Sequence, residues 1–426
     1  MSDQQTTHDP VGHRPSCPTS DGEAAGVSVA VPLLHPRDGT PAPIANATAL
    51  ADLAAVLGAS DAPIALDAER ASGFRYGSRA FLVQLRREGV GTALIDPVPF
   101  ADLAPLAAPL AGGEWVLHAA SQDLPCLAEL GLRPRRLFDT ELAGRLAGLP
   151  RVGLGPLVEQ ILGLRLTKGH GADDWSRRPL PADWLDYAAL DVEVLIELRD
   201  AMATLLAEQG KSEWAAQEFA ALVAAPPPAP RPDPWRRTSG IHHVTDRRTL
   251  AAIREMWYAR DDLARTRDLA PHRVLPDSAI IAAATALPGT APELAELPVF
   301  SGRAQRRAAP RWLAALERAR ALPPADLPPR RLPSEGPPPP GRWQHKDPAA
   351  AARLDAARKG LAELSERLAI PVENMMSPQL VRDVLWRPPT TVDLPEVLAT
   401  GGARPWQVEL VAPTLAAALA GAVSPV

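Results

Sequence analysis

Short apolar runs, each closed by glycine, proline or a charge, recur through the first half of the chain: VSVAVPLL, PIALDAE, AFLVQLRR, GTALIDP and EWVLHAA. Runs of that length and bounding predict strands. Among them, TALADLAAVLGA, FADLAPLAAPLA and DWLDYAALDVEVLIELRDAMATLLAEQ place apolar residues three and four apart, which predicts helices. Strands interleaved with helices predict an α/β sheet domain over residues 29–222. The period is then helical throughout 240–322, in TLAAIREMWYARDDLARTRD, PDSAIIAAATAL and RAAPRWLAALERARAL, and again in 346–426, from DPAAAARLDAARKGLAELSERLAI to PTLAAALAGA. Proline-rich stretches at 223–239 and 323–345 interrupt both patterns, because proline allows neither a helix interior nor a central strand. They predict linkers between three units. Residues 1–28 are polar and rich in Pro, Ser and Thr, and predict a disordered tail.

Charge changes the picture more than composition does. The net charge is −5, so there is no global attraction to a polyanion. The distribution is uneven, however: residues 41–222 carry 16 basic and 24 acidic side chains, whereas 226–322 carry 16 basic and 10 acidic. An acidic half suits cations and a basic helical half suits phosphates. Cys17 and Cys126 are the two cysteines, far apart and without metal-ligand spacing, which excludes a disulfide framework and fits a reducing compartment. No signal peptide pattern opens the chain, and no apolar run is long enough to span a bilayer. The expectation is a cytoplasmic protein without membrane or ATP as partners. GKS at 210–212 has the end of a phosphate-binding loop, but Leu205 stands where that loop needs glycine.

The candidate chemistry lies in acids placed where cores begin or end. In PIALDAER, Asp67 and Glu69 are two apart on a strand and so face the same way, where like charges repel unless a cation lies between them. Taken alone, the pair reads as a strand entering a polar loop. Asp123 follows the strand-like EWVLHAA near a helix start, where a carboxylate also favours the helix dipole. Tyr187 and Asp191 are four apart in DWLDYAALDVEVL and share a helical face. Four carboxylates would suit two divalent ions such as Mg²⁺ or Mn²⁺, hard cations that prefer oxygen.

The ordered set D-x-E, an aspartate within HAASQD, and Y-x-x-x-D resembles the three motifs of the DEDD superfamily of 3′–5′ exonucleases, in the subtype with tyrosine in the third motif. The flanking LVQL, LHAASQDLPCL, FDTELAGRLAG and DDWSRRPLPADWLDYAALDVEVL are similar to ribonuclease D over roughly residues 40–215. The segment RRTLAAIREMWYARDDLARTRDLAPHRVLPDSAI resembles the helicase-and-RNase-D C-terminal (HRDC) domain, and LAIPVENMMSPQLVRDVLW a diverged second copy. The resemblance implies an RNase H-like domain, a mixed sheet flanked by helices, followed by one or two all-α HRDC-like domains. It implies metal-dependent removal of nucleotides from RNA 3′ ends as nucleoside 5′-monophosphates, with tRNA precursors or other structured RNAs as partners. Asp67, Glu69, Asp123 and Asp191 would be the metal ligands, and Tyr187 would orient the attacking water. At an ordinary pKa of about 10 a tyrosine is a poor base, so orientation is its role. The other DEDD subtype has histidine at the position of Asp186. His118, at the end of a strand-like run, reads as structural; Asp139 and Thr140 as helix-capping residues; Asp173 and Asp174 as solvated loop acids; Lys168 and Arg178 as loop cations free to meet a phosphate or water. Two rivals stay open: a DNA-directed exonuclease, since nothing in the motifs reads a 2′-hydroxyl, and a catalytically silent RNA-binding adaptor.

Overall fold

The computed structural model describes residues 30–421 apart from 168, 228, 333–335 and 391. The expected tail and the start of VSVAVPLL lie outside the described residues, as does Lys168. A five-stranded mixed sheet runs in the order β4 (Gly91–Ile95), β3 (Ala80–Arg87), β2 (Ile64–Arg70), β5 (Trp115–Leu117), β6 (Leu137–Asp139). β2, β3 and β4 are antiparallel neighbours, while β5 and β6 continue parallel to β2. A separate parallel pair joins β1 (Val31–Leu33) to β7 (Leu164–Leu166).

β2, β3, β5 and β6 are largely buried on both faces, which is why they read as apolar runs rather than alternating ones, whereas β1 and β7 lie exposed or half-buried. Alternation sorts them nonetheless. Val83, Leu85 and Ile95 enter the main core with α1 (Ala47–Leu57), α2 (Ala104–Ala111), α3 (Leu124–Glu129), α4 (Thr140–Leu146) and α5 (Leu154–Leu162). Leu82 and Leu94 enter a smaller core on the opposite face with Trp175, Ala188 and Ala189, the latter two from α6 (Ala182–Glu193). The run DWLDYAALDVEVLIELRDAMATLLAEQ, expected as one helix, breaks at Val194 and resumes as α7 (Leu195–Glu208). Two β-branched valines within three residues (Val192, Val194) loosen the turn at that point. The chain then turns through Gly210, at φ 68°, into α8 (Ser212–Ala224).

The second helical unit comprises α9 (Arg247–Arg267), α10 (Pro271–Val274), α11 (Asp277–Ala286), α12 (Ala291–Ala295) and α13 (Arg303–Ala321) around Met256, Phe300 and Trp312. After a single turn, α14 (Trp343–Lys346), the third unit repeats the order and closely the lengths: α15 (Pro348–Leu368), α16 (Val372–Met375), α17 (Pro378–Trp386), α18 (Leu394–Thr400) and α19 (Pro405–Gly421). Asp246 and Asp347 cap the first long helix of each unit in the same way. Their cores differ in partnership. The second unit has a core of its own, into which Tyr76 from the β2–β3 loop packs. The third is continuous with the sheet domain: Trp406 stacks on Trp214 of α8 at 5.2 Å, and Glu218 accepts from both Trp406 Nε1 and Arg404. The buried Lys211 donates to the carbonyls of Leu146 and Leu368, both at 2.8 Å. The lysine of the GKS triplet is thus a bolt between two units.

Candidate active site

β2 pairs with β3 along its whole length but with β5 only at Ile64 and Ala65, because β5 ends at Leu117 and the chain reverses at Ala119. The second half of β2, carrying Asp67 and Glu69, is therefore open on that side. Both face α6, since Glu69 sits opposite Leu82 of the smaller core. α6 packs across β2 and β3. One carboxylate oxygen each from Asp67, Glu69 and Asp191 falls within a sphere where all lie within 4.8 Å of one another. Asp123 lies outside that group and makes an ion pair with Arg70 at 3.4 Å. It is 4 % exposed, and its Oδ1 accepts no hydrogen bond among the described residues. Tyr187 and the four acids line one open cleft of about 800 Å³, with Arg70, Arg151 and Arg165 along its walls.

The electrostatics are those of a site built for cations. Burial, followed by the field of neighbouring acids, drives the Glu69 and Asp191 carboxyls well above the usual carboxylate range. Burial and Asp67 push Asp123 to about 8. Asp67 is raised by burial too, against the opposing pull of the Ala68 N–H, Arg70 and Gln84, whose Nε2 donates to Asp67 Oδ2 at 2.6 Å. Like charges this close cannot all ionise without compensation. Oxygen-only donors, one of them a buried Asp123 oxygen that accepts no hydrogen bond among the described residues, fit a hard divalent ion.

Tyr187 is placed by what covers it. Trp175 is fully buried, packs against Trp184 at 5.2 Å and Tyr187 at 6.4 Å, and donates to the His170 carbonyl. A Cβ on Gly169 would stand 3.2 Å from the Tyr187 ring, tighter than ordinary packing, whereas one on Gly171 would make ordinary contact with its hydroxyl at 3.4 Å. Burial first, then Asp191 and Glu69, raise the phenol above its ordinary value. It holds its proton at neutral pH.

The remaining candidates fall into place around this. His118 lines the cleft, but burial lowers it to about 4 and its Nδ1 meets Thr140 Oγ1 at 2.9 Å, so it is neutral and tethered. Asp139 caps α4. Arg178 is bound to Asp96 at 2.6 and 2.7 Å and to the carbonyls of Phe81 and Trp175, a structural role. Asp173 meets His170 Nδ1 at 2.6 Å, and Asp174 accepts from Ser176. Asp186 faces away from the cleft and holds His35 and Thr40. Sequence reasoning missed Gln84, whose only signal was its place opposite Asp67 once register was known. It also missed Arg70, which follows the first motif directly.

Three families match the chain: a 3′–5′ exonuclease family over residues 41–207, the HRDC domain over 249–316, and a 3′ to 5′ exonuclease C-terminal domain over 336–419. The chain is 33% identical over 284 residues to the Ribonuclease D of Gluconacetobacter diazotrophicus, covering 65% of this chain and 71% of that one. Against the Ribonuclease D of a Shewanella species the identity is 29% over 360 residues, 83% and 88% of the two chains. Among solved structures, a protein from Bifidobacterium adolescentis superposes with a TM-score of 0.85 at 39% identity, covering 92% of this chain and all of that one. Escherichia coli RNase D, described as an exoribonuclease involved in structured RNA processing, superposes with a TM-score of 0.66 at 28% identity over 89% and 98% of the chains. The chain belongs to that family: it is a ribonuclease D, a hydrolytic 3′–5′ exoribonuclease.

Proposed function

We propose that Asp67, Glu69, Asp123 and Asp191 hold two divalent ions, Mg²⁺ or Mn²⁺, and that Tyr187 orients the water that attacks the last phosphodiester of an RNA 3′ end. The observation that carries this is the convergence of three carboxylates, with Tyr187 beside them, at the half of β2 that β5 leaves open. Such ions supply an activated water and offset charge on the leaving oxygen. The protein's own groups do the rest. Tyr187 keeps its proton and so fixes the water by its hydroxyl rather than removing a proton from it. Gln84 holds Asp67 in one rotamer. The products are nucleoside 5′-monophosphates released one at a time.

The substrates are structured RNAs with free 3′ ends, tRNA precursors among them, handled in the cytoplasm. The description of the E. coli relative and the basic surplus of the second unit support this reading. In this division of labour 29–222 is the nuclease, and 240–322 and 346–426 are helical units that serve it. Nucleotide release from matched RNA and DNA oligonucleotides with Mg²⁺ or Mn²⁺ tests the proposal. Asp67→Asn and excess EDTA are each expected to abolish release, the latter reversibly. Full activity in EDTA, or equal turnover of DNA, would sink it.

A further inference from the structure

We infer that Asp139 is a positioning residue for the ion site: its carboxylate holds the left-handed turn that carries Asp123 into the acidic cluster. The inference rests on the reading of Asp123 as a ligand.

β5 stops at Leu117, level with Asp139 on β6. To reach Asp123 from there the chain must reverse, and it does so at Ala119, in the left-handed region at φ 57°, ψ 49°. A side chain with a Cβ enters that region only under compulsion. Ala119 and Ala120 are buried, so their N–H groups have no water to turn to. Both donate to one carboxylate, Ala119 N–H to Asp139 Oδ1 at 3.0 Å and Ala120 N–H to Oδ2 at 2.9 Å. From those two amides a single 3₁₀ turn leads to Asp123, through Gln122 N–H to the Ala119 carbonyl and Asp123 N–H to that of Ala120. Only Ser121 and Gln122 separate the anchored amides from Asp123, too few to absorb a shift.

Asp139 also caps α4, its Oδ1 accepting from Glu141 N–H at 2.9 Å and Leu142 N–H at 3.2 Å. Capping alone needs one oxygen. The second oxygen is committed to the turn, and a carboxylate 3 % exposed is otherwise a costly choice for a cap. Four N–H groups on one buried acid fix the end of β5 against the start of α4. Asp139 does not line the main cleft, so its effect passes through Asp123.

The two duties can be separated in the full-length chain. Asp139→Asn keeps one oxygen for the cap but turns an amide toward Ala120 N–H, which then has no acceptor. After stripping metal with chelator, direct Mn²⁺ titration by calorimetry is expected to show affinity lower by roughly tenfold or more, the usual effect of losing a group that orients a ligand. The Mn²⁺ concentration for half-maximal nucleotide release should rise in parallel, while kcat at saturating Mn²⁺ largely recovers. Ala119→Gly in the same background removes the compulsion and should restore part of the affinity, which a capping role alone would not do. If Asp139→Asn does not accumulate as folded protein, Asp139→Ser, a good cap with a single oxygen, is read the same way. Unchanged Mn²⁺ affinity in the folded variant overturns the inference. Unchanged affinity in Asp123→Asn overturns instead the ligand reading beneath it.

Discussion

A phenol set among carboxylates holds its proton, and this decides what Tyr187 can do. Tyr187→Phe keeps the ring that packs on Trp175 and loses only the hydroxyl. As a packing residue it would cost about 0.5–1.5 kcal/mol of stability. As the group that orients the nucleophile it should lower kcat by on the order of 10²-fold, since small errors of positioning cost that much. Mn²⁺ affinity should be unchanged; near-normal kcat would remove the role. The acids themselves make the metal-free protein sensitive to pH. Asp123 titrates near 8 when folded and near the ordinary carboxylate value when unfolded. The folded state therefore binds the proton more tightly, and stability present at low pH is lost as pH rises through about 8. Chelated protein should melt at progressively lower temperature between pH 5 and 8, and Mn²⁺ should flatten the trend. A Tm that climbs with pH in EDTA would contradict it. At this scale the sequence was most legible: D-x-E and Y-x-x-x-D need only strand and helix periodicity. Gln84 and the second duty of Asp139 depend on strand register, which no local pattern records.

Elements were legible where their pattern was long. β3 and β4 fall on the apolar runs AFLVQLRR and GTALIDP, and α9 and α13 where helical spacing held. The three-residue β6 and β7 were not legible, being too short for any period, nor was the break at Val194, which interrupts an apolar pattern without altering it. The loop from Ala71 to Arg79, continuous with the first motif, shows what such stretches can do. Ala270 N–H donates to the Phe74 carbonyl, Arg273 lies 4.2 Å over the Phe74 ring, and the Tyr76 hydroxyl donates to Asp261 at 3.0 Å. Arg75 reaches Ser176 in the segment before α6 at 2.8 Å. One loop thus joins the motif strand, the second unit and the approach to Tyr187. Tyr76→Ala should destabilise the second unit by about 1–3 kcal/mol, a partly buried aromatic being removed. Urea unfolding followed by tryptophan fluorescence measures it, and an unchanged midpoint would show that the aromatic ring contributes nothing there.

For the whole molecule, charge and linkers suggest a nuclease that tolerates loss of everything after Ala224. The shared core changes that expectation. Cutting there would expose Trp214 and strip Lys211 of one carbonyl partner, so the fragment should melt well below the full chain. RNA binding by the second unit is better tested without truncation. Arg306 and Arg307 are exposed on α13. Arg306→Ala with Arg307→Ala should weaken RNA binding across sequences and lower the slope of log K against log salt by about one for each phosphate no longer neutralised. The kcat on short single strands should stay put, and an unaltered slope would assign that face to something other than phosphate.

The stack of Trp214 on Trp406 joins positions far apart in the order of synthesis. When α8 leaves the ribosome, its partner has yet to be translated, and the whole second unit comes first. Until Trp406 emerges, an aromatic seam on the catalytic half faces water, and closing it means closing a very long loop. The core of the catalytic half is therefore completed by the third unit, after the second has been made. The seam closes only once the third unit has been made, and until then it is a surface on which a nascent copy can misassemble with a neighbour.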